Sequence, residues 1–261
     1  HSFPTRRSSD IIQTTINDGV TLYRNLYIDN KTRNPKVKGL NQFVNNVLYN
    51  WGNGGAYIMG DTQQKSDADI RNNYFIVGTT DNYDGKKLGA TAPFTRYNEH
   101  FSAYLSGNFY DDNKDGLLNG RELGRADCMK KSVVAGEEII TSPTFLERPS
   151  DVHPEIKELM TAQEAYEWIV ANGGSSLPVR DEVDAYLIDE LTSLGKKGLI
   201  IHSEEDIPTK GPGNIKSAEA PADNDNDGMP DEFEDKYGLD KNDPADAMKV
   251  ASNGYTNIEN Y

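Results

Sequence analysis

Cysteine is nearly absent. Cys128 is the only one in 261 residues, so no internal disulfide can form, and a single thiol says little about compartment. No run of eighteen or more apolar residues occurs, so nothing reads as a membrane-spanning helix. Positive charge is scarce as well. Lys and Arg number 27 against 42 Asp and Glu, a formal net charge of −15. That balance argues against nucleic acid as a partner, because phosphate binding needs a basic footprint. Apolar residues make up only 36%, and mean hydropathy is −0.72. Fourteen Tyr, eight Phe and evenly spread Ile, Leu and Val nevertheless argue against disorder.

The ends differ from the middle. The chain starts at His1 and shows no signal peptide. Residues 1–10, HSFPTRRSSD, have no periodicity and resemble translated sequencing adapter, so the fold expectation excludes them. At the other end, residues 221–261 hold eleven Asp and Glu against three Lys, a net −8 and over half of the total. Such a block is either a solvated tail or a set of hard-cation ligands.

Between the ends lies a repeat. VTLYRNLYIDN (20–30), NQFVNNVLYNWG (41–52), ADIRNNYFIVG (68–78) and FSAYLSGNFYDDN (101–113) each place an Asn before an apolar or aromatic pair. The asparagines are Asn25, Asn46, Asn73 and Asn108, in steps of 21, 27 and 35. A period near twenty with variable excess fits coils of a parallel β-helix with loops inserted at corners. Asn tolerates the left-handed backbone of a tight corner, and its amide both donates and accepts, so stacked copies can bond along the axis. Residues 11–150 are therefore expected to form coils of an all-β solenoid, with further coils expected before them.

After residue 150 the pattern changes. In 160–174, Ala162, Ala165, Ile169 and Val170 share a helical face, Thr161 and Glu164 form a capping box, and Gly173-Gly174 ends the helix. Residues 181–198 suggest a second helix or a long turn with helical character. The segment 151–206 reads as a helical or extended packing element, 207–222 as a Pro/Gly linker, and 223–261 as a small calcium module.

DNDNDGMPDEFE (223–234) matches the twelve-residue calcium loop at every ligand position. Asp223, Asp225 and Asp227 stand at 1, 3 and 5, Met229 offers a carbonyl at 7, Asp231 stands at 9 and Glu234 at 12. DDNKDGLLNGRE (111–122) is a second match, through Asp111, Asn113, Asp115, Leu117, Asn119 and Glu122. Residues 249–260 look like a decayed third loop, with Lys249 and Ala251 at ligand positions. Against the acidic background, DNKTRNPKVKG (29–39) gathers Lys31, Arg33, Lys36 and Lys38 around Pro35. Alternation along an extended strand puts Lys36 and Lys38 on one face. The strip is either a solvated loop or a site for an anionic substrate.

Residues 23–39 with 45–52 resemble the active-site region of family 1 polysaccharide lyases, the pectate lyases. Their motif, Arg-x-Pro-x-x-Arg, reads here Arg33-Asn34-Pro35-Lys36-Val37-Lys38. The resemblance continues through 107–120, 161–185 and 223–246. It implies a right-handed parallel β-helix and calcium-assisted β-elimination of polygalacturonate, an acidic plant cell-wall polysaccharide. It also implies a secreted location, and a monomer is expected. Arg33 would be the base. Because arginine is normally always protonated, a clamp on the uronate or an electrostatic stabiliser is equally admissible from the residues alone. Lys31, Lys36 and Lys38 would bind substrate, with Lys38 lacking the planar fork of the usual Arg. In the family, acids on preceding coils hold catalytic calcium, so this chain alone is expected to be inactive or nearly so. Rival readings are a pectin lyase on methyl-esterified substrate, with Trp51, Tyr57 and Tyr97 lining a less charged cleft, and a non-catalytic polysaccharide-binding β-helix. A hydrolase is disfavoured, since no acid/base carboxylate pair accompanies the coils.

Overall fold

The computed structural model describes residues 11–13, 19–52, 55–60, 63–80, 82–83, 86–87, 92–176, 179–215 and 219–261. Residues 1–10 and part of the expected linker lie outside them. The chain divides into two compact units that part between Ile215 and Lys216.

In the first unit the chain repeats one circuit of three strands. The first circuit runs β1 (Ile11–Gln13), β2 (Val20–Tyr23) and β3 (Leu26–Ile28). The second is β4 (Lys36–Lys38), β5 (Leu40–Val44) and β6 (Val47–Tyr49), and the third is β7 (Tyr57–Met59), β8 (Ser66–Arg71) and β9 (Tyr74–Ile76). A short hairpin, β10 (Asn82–Tyr83) and β11 (Lys86–Lys87), precedes the fourth circuit of β12 (Phe94–Thr95), β13 (Phe101–Ser106) and β14 (Phe109–Asp111). Each strand pairs in parallel with its counterpart one circuit on, so three parallel stacks result. The stacks close differently at the far end. β15 (Arg121–Glu122) adds antiparallel to β14, the hairpin β16 (Lys130–Val134) and β17 (Glu137–Thr141) stands apart, and β18 (Thr144–Phe145) adds parallel to β13.

Register turns sequence alternation into columns. Leu22, Phe43, Ile70 and Leu105 lie in line along the second stack, and Tyr27, Leu48, Phe75 and Tyr110 along the third. Both columns point into one core with Val37, Tyr57, Met59 and Phe94. The other face of the third stack is apolar too, through Ile28, Val47, Tyr49, Tyr74 and Ile76. That is why its strands read as unbroken apolar runs. Two helices cover this outer face: α1 (Ala162–Asn172) brings Ala162, Ala165 and Ile169, and α2 (Glu182–Thr192) brings Ile188 and Leu191. The expected box starts α1. Thr161 Oγ1 accepts from the Glu164 N–H and Glu164 Oε2 accepts from the Thr161 N–H. The second helix is shorter than the sequence suggests, ending at Thr192.

The asparagines form the expected ladder. Nδ2 of Asn25, Asn46 and Asn73 donates to Oδ1 of Asn46, Asn73 and Asn108 at 2.9, 3.0 and 2.8 Å. The same oxygens accept the preceding rung's backbone N–H. The second proton of each amide beyond Asn25 goes to a carbonyl, Leu22, Phe43 or Ile70. The left-handed backbone is not at these residues, contrary to expectation. It falls one position earlier, at Arg24, Asn45, Asn72 and Gly107, with φ of 57, 55, 53 and 62°. At Gly107 the position also excludes a side chain, because a Cβ would lie 2.0 Å from Asn72 Oδ1. The other three use theirs to hold the approach to α1. Arg24 pairs with Glu158 at 3.0 Å, and Asn45 and Asn72 donate to the Met160 carbonyl.

A rung in mid-ladder should matter more than one at its start. Asn73→Ala leaves buried donors and an acceptor unpaired on both sides, at about 1–3 kcal/mol for each group. Urea unfolding should therefore show a loss of at least about 3 kcal/mol, and a clearly smaller one for Asn25→Ala.

Candidate functional site

The basic strip is held down by backbone bonds to the next circuit. Asn34 N–H donates to the Ala56 carbonyl at 3.0 Å, and the Asn30, Pro35 and Val37 carbonyls accept from Gly52, Ile58 and Gly60. Gly52 is required where the strip crosses, since a Cβ there would sit 2.4 Å from the Lys31 carbonyl oxygen. Val37 points into the core, so Lys36 and Lys38 share the outward face of β4, as alternation predicts. They differ in setting. Lys36 is 6% exposed, its stem lying across Gly60 where a Cβ would meet Lys36 Cε at 2.3 Å. Lys38 is half-buried and Lys31 exposed.

Arg33 is the unusual member. It sits at the corner before β4 with φ of 64°, while Gly55 takes the left-handed place one circuit on, at φ of 87°. A long side chain in that region is uncommon and worth explaining. Arg33 is half-buried and makes no ion pair among the described residues. Arg24, another left-handed arginine of the coils, is by contrast committed to Glu158 and stacked on Trp168. Trp51 and Tyr57, offered above as cleft residues, belong to the core, and Tyr97 packs partly buried against it. Circuit residues one place from a turn can face in as readily as out, which sequence spacing does not reveal.

Sequence reasoning missed the pair that anchors the start of the strip. Asp29, left-handed at φ of 56°, is buried, and Asn50 Nδ2 donates to its Oδ1 at 2.5 Å. Its carboxyl lies within hydrogen-bonding reach of Glu190 from α2, whose Oε1 accepts from Tyr186 Oη at 2.5 Å. Asp29 Oδ2 and Glu190 Oε2 have no other donor. Burial, and then the neighbouring Glu190, push the Asp29 carboxyl well above the usual carboxylate range. A proton shared between the two carboxyls would satisfy both. No motif marks such a pair, because its members are far apart in sequence and each looks like an ordinary surface acid.

The two calcium-loop matches differ inside. In 111–122 the polar groups satisfy one another. Asp111 Oδ2 accepts from the Asn119 N–H, Asn119 Nδ2 donates to Asp115 Oδ2, and Asn113 Nδ2 donates to Asn119 Oδ1. Hydrogen bonds from Asn119 hold the Asp115 carboxyl below its ordinary value, while burial holds Asp111 above. Leu117 is exposed, and Glu122 lies exposed on β15. The other loop belongs to the second unit, which contains α3 (Asp231–Tyr237) and α4 (Asn257–Asn260). There Asp223 Oδ2 and Asp227 Oδ1 accept from Gly228 and Met229 N–H groups, and Asp231 Oδ1 from Asn224. Both oxygens of Asp225 and of Glu234 are buried without a donor, as are Asp223 Oδ1 and Asp227 Oδ2. Burial, then Asp225, Asp227, Asp246 and Asp231, push the Glu234 carboxyl up to about 7. Asp246 joins this cluster without having been marked by the loop motif. Buried acceptors with no proton donor among them fit a hard cation.

The fold and site thus define a strand-rich protein of stacked parallel circuits, with a presented arginine on one corner and an acidic loop unit after it. The chain is 43% identical over 255 residues, 98% of its length and 55% of the relative, to the "Probable pectate lyase C" of Aspergillus terreus. It is 43% identical over 255 residues to that of Neosartorya fischeri, and 44% over 242 to that of Emericella nidulans, or 55% and 51% of those chains. No family model matches and no solved structure matches. Over nearly its whole length the chain is thus similar to proteins named probable pectate lyase C, and it spans about half the length of the curated relatives it matches. Among the described residues no helix is long and apolar enough to cross a membrane.

A carboxyl that is protonated in the fold but ionised when unfolded ties stability to pH. Its contribution is fully present below the ordinary carboxylate range and is lost as pH rises toward the raised folded value. Asp29→Asn keeps the acceptor for Asn50 and supplies a permanent donor toward Glu190. The variant should melt at a higher temperature than wild type above pH 6, by roughly 2–4 °C for each kcal/mol gained. The gap should shrink toward pH 4, as followed by circular dichroism.

Proposed function

We propose that this chain is part of a pectate lyase that cleaves α-1,4-linked polygalacturonate by calcium-assisted β-elimination outside the cell. On this reading residues 11–150 are the C-terminal coils of a right-handed parallel β-helix, and 223–261 a helical calcium module. The observation that carries the reading is Arg33. It is a cation without an ion pair among the described residues, held in the left-handed region at the corner that opens the strip. Backbone bonds on either side fix that corner to the next circuit, and positioning of this kind is what catalysis asks of a scaffold.

β-Elimination removes the proton at C5, sends its electron pair into a C4–C5 double bond, and expels the C4 glycosidic oxygen, which then takes up a proton. The uronate carboxylate beside C5 decides the barrier, because charge develops onto it as the proton leaves. Calcium bound to that carboxylate would withdraw charge and acidify C5. Arg33 then acts at C5 or on the developing charge, and Lys38 and Lys31 hold carboxylates of neighbouring sugars. Lys36, with its stem packed over Gly60, contributes charge from within the wall. The cationic face favours the acidic polymer over its methyl ester, and the burial of Trp51 and Tyr57 takes away two of the three aromatics of the pectin lyase alternative.

We also assign both twelve-residue loops as calcium sites. The second unit's loop, where Asp223, Asp225, Asp227 and Glu234 hold buried oxygens lacking donors, would be structurally dependent on its ion. In 111–122, Asp111, Asn113, Asp115 and Asn119, already bonded together, would exchange those bonds for the ion, with the Leu117 carbonyl and Glu122 completing the set.

In the intact protein, polygalacturonate should yield an unsaturated product seen by ultraviolet absorbance, and a chelator should abolish it. Arg33→Ala should lower kcat by at least about a hundredfold, and Lys38→Ala should raise KM more than it lowers kcat. Absence of the product, or an unaffected Arg33→Ala variant, overturns the assignment.

A further inference from the structure

Asp246 lies outside the twelve-residue loop, in the turn after Asp240, yet it shares the same acidic centre. Asp223, Asp225 and Asp227 form one triad of converging carboxylate oxygens, and Asp227, Glu234 and Asp246 form another, each within 4.8 Å. The triads meet at Asp227. Glu234 is fully buried and Asp246 is 3% exposed. Glu234 Oε1 and Oε2 and Asp246 Oδ1 have no hydrogen-bond partner. Carboxylates carry no donors when ionised, so they cannot satisfy one another, and leaving them buried and bare is costly.

We propose that Asp246 is a direct ligand of the divalent cation held by the 223–234 loop, and that the ion thereby ties the C-terminal segment to α3. The inference rests on reading that loop as a calcium site. Asp246 is built for two tasks. Its Oδ2 accepts from the Asp240 N–H at 2.7 Å, closing the turn, which leaves Oδ1 for the ion. Its carbonyl accepts from Asn257 Nδ2 at 2.9 Å and from the Lys249 N–H at 3.0 Å. The next residue's carbonyl accepts from Ile258. The placement of α4 therefore follows from the placement of Asp246. A hard cation taking six to eight oxygens has room for this extra carboxylate beside the loop's own ligands. It would also relieve the mutual repulsion of five acids around one centre.

A residue that only closed the Asp240 turn would behave differently, and the difference has a sign. The full chain carrying Asp115→Asn, which weakens the 111–122 loop, serves as the parent and is titrated with Ca2+ by calorimetry. Adding Asp246→Asn should weaken binding by about tenfold or more. Asp235→Asn, which removes an exposed charge on α3, should leave affinity near the parent value. Tryptic cleavage at Lys241 and Lys249 gives the second readout. With Ca2+ the Asp246→Asn variant should be cut faster than the parent. In chelator it should be cut more slowly, because one of the mutually repelling carboxylates is gone. Unchanged affinity, or faster cleavage in both conditions, overturns ligation by Asp246 while leaving the loop assignment intact. A parent that binds no Ca2+ at the second unit overturns both.

Discussion

Everything in the coiled unit depends on one requirement: a buried turn between two strands must satisfy its polar groups without water. The asparagine amide meets it because one group carries two donors and two lone pairs. At Asn46 and Asn73 the oxygen takes two protons from the rung before, and the nitrogen gives one to the rung after and one to a carbonyl. The ladder is satisfied only if successive circuits sit at one height and one register. It therefore aligns the apolar columns as well as closing its own turn. Slipping one residue would break every rung and would turn Phe43 and Phe75 out of the core.

That alignment carries the strip. Arg33 can stand at a left-handed corner because the backbone on both sides of it is bonded to the circuit above. From the other side, α2 and the segment after it fasten the strip's first residue, through Glu190 at the Asp29 carboxyl and the Ile201 N–H on the Asp29 carbonyl. Packing of α1 and α2 on the third stack is thus connected to the placement of the cations by a short chain of contacts. A helix that looks like mere covering also sets where the site begins.

Much of this was legible. The asparagines marked the circuits because a hydrogen-bonding role demands one residue type and so leaves a mark in sequence. The left-handed position one residue earlier leaves no such mark, since Arg24, Asn45, Asn72 and Gly107 fill it and no single residue type is required there. Lys36 and Lys38 fell on one face by simple alternation, yet only the structure shows that Gly60 makes space for Lys36 to lie down. Asp29 with Glu190, and Asp246 with its loop, stayed hidden because their partners come from distant turns. A spacing pattern records only what neighbours in sequence do together.

The two loops with the same spacing show how far one atom changes the outcome. Positions 3 and 9 are Asn113 and Asn119 in the first loop, and amide protons let that loop close on itself, Asn113 to Asn119 and Asn119 to Asp115. In the second loop the same positions are Asp225 and Asp231. Those two positions carry no side-chain amide proton, and Asp225 and Glu234 remain without donors in a covered site. The property that lets the asparagine ladder stand without help is what the acidic loop lacks. A cation is the agent that can supply several positive contacts at one point to oxygens on every side. The coils are held by amides that carry their own protons, and on the proposed reading the acidic unit would be held by the ion its carboxylates recruit.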